Sequence, residues 1–93
     1  FHMPPSNSGL DVCSDGKGVG SKAIYNFLSN PPYPLLSLHG HIHESPNISG
    51  VWKTKKGKTI CIQPGQSHYY EDFVVYVIID LKDMKFTRSQ ISK

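Results

Sequence analysis

Residues 35–43 read Leu35-Leu36-Ser37-Leu38-His39-Gly40-His41-Ile42-His43, a short apolar run that leads directly into a histidine-rich segment. The run follows Pro34 and is too brief for a helix, so we expect a buried strand over 35–38. Gly40 bounds the run and lets the backbone bend tightly. The histidines are therefore predicted to lie at the carboxyl end of a strand.

Upstream of this strand the sequence predicts a long loop and one helix. Residues 4–20 are rich in Pro, Ser, Asn, Asp and Gly and lack a periodic apolar pattern, which indicates a loop. Loops of this length commonly have a functional role, so we expect this one to border a binding site. Apolar residues recur at helical spacing over 19–28, with Ser21 as the N-cap and Pro31-Pro32 ending the pattern.

Downstream of Pro46 the pattern changes to short strands separated by turn signals. We predict strands over 49–53, 59–63, 73–80 and 85–91. Their close spacing favours antiparallel hairpins. Residues 73–79 are apolar almost throughout, which predicts a central strand covered on both faces. The fold class is therefore α+β, with one helix and a mostly antiparallel sheet.

Length and composition limit the chain to one small unit. It has 93 residues, of which 38% are hydrophobic, and a net charge of +3, enough for a single packed core. No apolar run reaches about 18 residues, so we predict no membrane contact. Cys13 and Cys61 show neither CxxC spacing nor the density of a disulfide scaffold, which favours a cytoplasmic location. We interpret the basic run at 53–58 as a solvated hairpin turn, with nucleic-acid binding as the weaker alternative.

His41 and His43 are two residues apart, a spacing that has chemical consequences. In an extended segment, residues i and i+2 project to the same side with their Cα atoms about 6–7 Å apart. Two such imidazoles can reach two adjacent metal ions. Metal pairs about 3.5–4 Å apart activate water and neutralise phosphoryl charge during phosphoester hydrolysis. The spacing therefore indicates a metal-dependent hydrolase site.

The segment Gly40-His41-Ile42-His43 matches the Gly-His-x-His signature of calcineurin-like metallophosphoesterases. The opening residues Phe1-His2-Met3-Pro4-Pro5 resemble the His-containing motif that precedes that signature in the family. The order of elements is also similar over nearly all of the chain, and residues 38–45 most resemble the Icc-like phosphoesterases.

This resemblance implies a fold, a cofactor and a set of ligands. The chain would be the C-terminal half of an αββα sandwich, with residues 1–93 forming part of one domain whose N-terminal half is absent. His2 and His41 would bind one divalent metal ion and His43 the other, with Mn, Fe or Zn as the metals of the complete enzyme. No catalytic residue other than these ligands is expected in the chain.

Four neighbouring features have weaker assignments. His39 is predicted to be a strand residue, with a contact that supports a metal ligand or binds substrate as the alternative. Glu44 could orient a ligand imidazole or lie on the surface. His68 follows a Pro-Gly turn and is expected to have a structural role there. The glycine-rich residues 15–21 precede a helix but lack the Gly-Lys-Ser/Thr ending of a phosphate loop, so we predict an ordinary loop.

The family's dinuclear site also uses Asp-x-His, Gly-Asp and Gly-Asn-His motifs, and none of these occurs in the sequence. Two dications without an anionic bridge repel each other, so we expect weak or absent metal binding by this chain alone. The first hypothesis is a fragment of a phosphomonoesterase or phosphodiesterase that uses metal-activated water and is completed by the missing N-terminal half. The second is a non-catalytic interaction or half-subunit module. In the fragment, the strands that would pair with the missing half have open edges and an apolar face, which favours a homodimer.

Overall fold

The histidine-rich segment follows a short strand, as the sequence predicts. The computed structural model describes residues 1–66 and 72–93, so His68 and its expected turn role lie outside the described residues. The elements in chain order are α1 (Lys22–Ser29), β1 (Leu36–Leu38), α2 (Ser45–Ser49), β2 (Lys53–Lys56), β3 (Thr59–Ile62), β4 (Phe73–Asp80) and β5 (Lys85–Ser92). The α+β class is confirmed, as are the predicted helix and four of the five predicted strands.

Strand β3 is the centre of a three-stranded sheet with the order β1-β3-β2. β2 runs antiparallel to β3, with Lys56 opposite Thr59, as a hairpin requires. β1 runs parallel to β3, with Leu36 opposite Ile60. Parallel neighbours need a long crossover connection, and the segment that contains α2 and β2 provides it. This pairing places the carboxyl ends of β1 and β3 at the same edge of the sheet.

The core forms where α1, the long loop and β3 meet. Leu28, Leu10 and Cys61 are fully buried and in contact, with Ile24 and Val51 packed against them. Burying a leucine side chain contributes roughly 1.5–3 kcal/mol. Burial also raises the pKa of the Cys61 thiol, so this cysteine is a protonated core residue at neutral pH.

Helix α1 begins and ends where local sequence signals place its limits. The Oγ of Ser21 accepts a hydrogen bond from the N–H of Ile24 at 3.1 Å, which satisfies one of the free donors of the first turn. The helix ends at Ser29, and Asn30 is already extended. Pro31 follows, and a proline ring disfavours helical geometry in the residue before it.

The strand predicted over 49–53 is wrong. Ser45–Ser49 form the short helix α2, and β2 begins only at Lys53. Pro46 lies in the first turn of α2, where a missing N–H has no cost. Gly50 has a φ of 76° and donates its N–H to the Pro46 carbonyl at 3.0 Å, which closes the helix with a left-handed residue.

The basic run at 53–58 occupies a strand as well as a turn. Its first four residues form β2, and the turn begins at Gly57. The Nζ of Lys56 lies 5.1 Å from the centre of the Tyr25 ring and donates to the Asn7 carbonyl at 2.9 Å. The Nζ of Lys53 likewise lies 5.0 Å from the centre of the Phe86 ring. The interpretation as a solvated turn is therefore wrong for the residues on β2, two of which make specific contacts within the fold.

Strands β4 and β5 form a second sheet with two strands only. They are antiparallel over their whole length, with Asp80 opposite Lys85. Among the described residues β4 has no strand on its other side, and Val74 and Ile78 are 43% and 58% exposed. The expectation of a central strand covered on both faces is therefore wrong for the described chain, because no second layer covers the outer face of β4.

Two side chains attach this hairpin to the turn that follows β3. The Nε of Arg88 donates to the Pro64 carbonyl at 2.6 Å. The amide of Gln66 donates to the Phe73 carbonyl at 3.2 Å and accepts the N–H of Val75 at 2.8 Å. The Gln66 amide therefore takes the place of a neighbouring strand along the first residues of β4.

Both helices are short compared with the thickness of a bilayer. α1 has 8 residues and α2 has 5, whereas a membrane-spanning helix needs about 20. Within residues 1–66 and 72–93, no helix is long and apolar enough to cross a membrane.

Candidate functional site

The histidine loop starts where β1 ends against β3. The N–H of His39 donates to the Ile62 carbonyl at 2.9 Å, and the N–H of Gly40 donates to the His2 carbonyl at 2.9 Å. His41 follows with a φ of 68°, in the left-handed region that residues with a Cβ seldom adopt. The loop is a tight bend, so the expectation of an extended segment with its histidines on one side is wrong.

The bend brings the rings of His2 and His41 into contact. Their centroids are 5.1 Å apart and the rings meet edge to face at 79°. Both residues and His43 are exposed and line one cleft of about 290 Å³. The other lining residues are His39, Gly40, Gln63, Pro64, Gly65 and Gln66. All three histidines that the sequence nominates as metal ligands therefore share a cleft, and two of them lie side by side.

His39 is a buried structural residue with both ring nitrogens bonded. Its Nδ1 is 3.0 Å from the Met3 carbonyl and its Nε2 is 2.7 Å from the Ser37 hydroxyl. Because a carbonyl only accepts, Nδ1 carries the proton and Nε2 accepts from Ser37. Burial lowers the pKa of His39, which favours this neutral form. The ring therefore has no nitrogen left for a metal ion.

Glu44 binds the long loop. Its Oε2 accepts the hydroxyl of Ser14 at 3.1 Å and the N–H of Ser14 at 3.3 Å. Its own backbone N–H, and then Ser14, hold the pKa of Glu44 below its usual value. Within the described residues it hydrogen-bonds no imidazole, so the geometry gives no support to the alternative in which Glu44 orients a ligand histidine.

Two serines of α2 attach the long loop behind the histidines. Ser45 is fully buried, and its hydroxyl donates to the Gly9 carbonyl at 3.0 Å and accepts the N–H of Val12 at 2.8 Å. The hydroxyl of Ser49 donates to the same carbonyl at 2.6 Å. No residue of 4–20 lines the cleft. The expectation that this loop borders the binding site is wrong, and the loop instead supports the chain that follows the histidines.

The carboxylate of Asp11 is used within the fold. Asp11 is 2% exposed, and its Oδ2 accepts the N–H of Gly20 at 2.9 Å. This bond uses the N–H of Gly20, which a phosphate loop over 15–21 would need in order to bind phosphate. Within residues 1–66 and 72–93, no group of three or more His, Cys, Asp or Glu side chains is placed to hold a metal ion. The cleft lining offers imidazole, amide and backbone groups.

The Pro-Gly turn after β3 packs directly against the histidine loop. Gly65 has a φ of 73°, and a Cβ at this position would lie 2.6 Å from the Cγ of Pro46 and 2.9 Å from the His43 carbonyl. The N–H of Gln66 donates to that same carbonyl at 2.8 Å. Only glycine fits here, and the turn fixes the backbone of His43.

Sequence reasoning missed two glutamines that line the cleft. Gln63 is 1% exposed and donates from its Nε2 to the Leu10 carbonyl at 2.8 Å. Gln66 bonds β4 through its amide, as described above. An amide side chain has no characteristic spacing, and its partners here are distant in sequence or lie on another sheet. No local signal could have identified either residue.

Comparison with known proteins adds no assignment to this geometry. No protein-family model, curated protein or solved structure matches the chain. The family resemblance at His2, His41 and His43 therefore rests on the sequence motifs alone.

Gly65→Ala is expected to lower the free energy of unfolding by about 2–5 kcal/mol. The left-handed backbone costs about 1–2 kcal/mol for a residue with a Cβ, and the overlap with Pro46 and His43 adds about 1–3 kcal/mol. Gly50→Ala is the matched control, since its φ is 76° and nothing lies within 4 Å of a Cβ there. Urea unfolding measures the free energy of unfolding of both variants, and the difference between them gives the cost of the overlap at Gly65. Equal losses of stability in the two variants would contradict the close packing of Gly65.

His39→Ala is expected to lower the free energy of unfolding by about 1–3 kcal/mol, because it leaves the buried Ser37 hydroxyl and the Met3 carbonyl without their partner. His43→Ala removes an exposed ring and should change the value by less than about 0.5 kcal/mol. Denaturant unfolding at neutral pH measures both. A larger loss for His43→Ala than for His39→Ala would reverse the assignment of structural and exposed histidines.

Proposed function

We propose that this chain supplies the histidine ligands of a metal-dependent phosphoesterase site of the calcineurin-like metallophosphoesterase type. The observation that carries the proposal is the contact between the rings of His2 and His41 in a cleft that His43 also lines. These histidines belong to two motifs that are distant in the sequence. Two distant motifs that meet in one cleft support a shared role.

The backbone of the histidine loop supports a functional role as well. The left-handed φ of His41 costs about 1–2 kcal/mol, and such conformations cluster at functional sites, where the surrounding structure enforces them. Here the enforcing contacts are the bond from Gly40 to His2 and the packing of Gly65 against the carbonyl of His43. The loop therefore holds His41 next to His2 at a cost in backbone energy.

The three imidazoles fit the ligand preferences of Fe and Zn, whereas Mn prefers the carboxylate ligands that the rest of the site would add. His2 and His41 would hold one ion and His43 a second. The metal ions would activate water and neutralise charge on the phosphoryl oxygens of a phosphomonoester or phosphodiester. His39 would keep the loop in place through Ser37 and Met3, and Gly65 would fix the position of His43.

Neutral imidazoles do not offset the repulsion between two dications, so the complete site needs carboxylates. In this proposal they come from a second polypeptide segment, the N-terminal half of the same αββα domain. The chain alone then binds metal weakly and is inactive. The free thiols of Cys13 and Cys61 fit a reduced, cytoplasmic environment for the complete enzyme.

A second candidate function is a non-catalytic half-subunit or interaction module. It is favoured by the structural use of Asp11 and Glu44, whose carboxylates bond Gly20 and Ser14 instead of facing the cleft. We propose no nucleic-acid partner. Lys56 and Lys58 of the basic run lie over tyrosine rings of the fold.

Metal titration followed by NMR tests the ligand assignment on the chain itself. Zn²⁺ should perturb the imidazole resonances of His2 and His41 before that of His43, and a chelator should reverse the change. The ring of His39 is the internal control, because both of its nitrogens are bonded. His41→Ala should weaken binding at least tenfold or so, since even supporting residues of metal sites have effects of about 10–100-fold. Perturbation of His39 together with the others would contradict the assignment.

An activity assay separates the two candidate functions. The chain with Mn²⁺ and an aryl phosphate should show turnover far below about 1 per second, the lower end of common enzyme rates. Addition in trans of a polypeptide that carries the Asp-x-His and Gly-Asn-His motifs should raise turnover for the wild type and not for His41→Ala. Turnover near 1 per second by the chain alone would reject the fragment proposal. No rise with the added polypeptide would favour the non-catalytic module.

A further inference from the structure

Among the described residues, the edge of β4 that faces away from β5 is open along most of its length. The N–H of Lys93 bonds the Asp72 carbonyl on the β5 side, whereas the Gln66 amide bonds Phe73 and Val75 from the opposite side. Because neighbouring residues of a strand direct their backbone groups to alternate sides, 77 and 79 also face away from β5. No strand among residues 1–66 and 72–93 pairs with this edge.

The two edges of this hairpin differ in charge. β5 carries the exposed Lys85, and charged side chains are a common device that prevents unwanted pairing at a sheet edge. Residues 73–79 of β4 carry no charge, no proline and no glycine. β4 is therefore the unprotected edge, which is expected of a strand that is paired in the functional assembly.

The outer face of the hairpin is apolar next to that edge. Val74 is opposite Ile91 in the ladder, and the two are 43% and 61% exposed. Ile78 lies on the same face of β4, where residues alternate with period two, and is 58% exposed. A strand added at the open edge would extend this face and reduce its exposure to water.

We propose that β4 pairs antiparallel with β4 of a second copy of this chain across a two-fold axis, which gives a four-stranded sheet. The partner strand must be extended and apolar, and residues 73–79 of β4 have these properties, with Asp80 at the end of the strand. A two-fold axis makes the interface self-complementary, so one uncharged edge satisfies both copies. The proposal does not depend on the metal site.

The contact between Gln66 and β4 selects the register. Phe73 and Val75 are already bonded, so the free groups for a new ladder are those of Val77 and Ile79. Pairing Val77 with Ile79 of the second copy, and the reverse, places the two Ile78 side chains opposite each other. Such a central pair has no hydrogen bonds between its own residues, and its Cα atoms lie about 4.5 Å apart.

Sedimentation velocity of the full chain over a range of concentrations tests the association. The wild type should form a dimer. Ile78→Lys should weaken the dimer by about tenfold or more, because two apolar side chains are lost from the interface and two like charges face each other. Thr87→Lys is the matched control, since Thr87 is opposite Ile78 on β5 and away from the new interface. A monomer at every concentration overturns the proposal. The partner of the β4 edge would then be a strand of a different polypeptide.

Disulfide trapping tests the register. In a Cys13→Ser background, Ile78→Cys should form an intermolecular disulfide on mild oxidation, because a Cα separation of about 4.5 Å lies within the range for disulfides. Val74→Cys is the control and should not crosslink, since the proposed register places it opposite Lys82 of the second copy. Efficient crosslinking by Val74→Cys, or a dimer that Ile78→Lys leaves intact, would overturn the proposed pairing.

Discussion

The histidine loop depends on the parallel pairing of β1 with β3. The bond from His39 to Ile62 continues this pairing one residue past β1 and sets the point at which the chain leaves the sheet. The buried ring of His39 then bonds the Met3 carbonyl, which holds the first residues of the chain beside the loop. The N–H of Gly40 bonds His2 directly. The contact between His2 and His41 follows from these bonds.

Parallel pairing also explains why the Pro-Gly turn belongs to the same cleft. The carboxyl ends of parallel strands lie at one edge of a sheet, so the segments that follow β1 and β3 must meet there. Gly65 is the residue at which they touch, and its lack of a side chain lets the backbone of the turn approach Pro46 and His43. An antiparallel arrangement of the same two strands would have placed the turn and the histidines at opposite edges.

The features that could be predicted from the sequence are those encoded within a few residues. Ser21 and Pro31 limit α1 through local capping and steric effects, and the apolar run before Gly40 marks β1. α2 also had local signals in Pro46 and Gly50, but strand-forming residues around Gly50 outweighed them in the sequence pattern. The bend at His41, the burial of His39 and the exposed face of β4 depend on contacts between distant segments. No periodicity encodes such contacts, and the pattern therefore predicted an extended histidine segment and a fully covered strand.

The histidine cleft and the open edge of β4 require different binding partners. Among residues 1–66 and 72–93 the cleft lining has no anionic side chain, whereas the β4 edge fits an uncharged strand, so one strand with apolar side chains does not serve both. Gln66 separates the cleft from the open edge. Its amide bonds the backbone of Phe73 and Val75 at the end of β4 nearest the turn, and its own backbone N–H bonds the His43 carbonyl. A strand added beside Val77 and Ile79 ends before the cleft. In the proposed phosphoesterase, the carboxylates would therefore come from a segment other than the strand that pairs with β4.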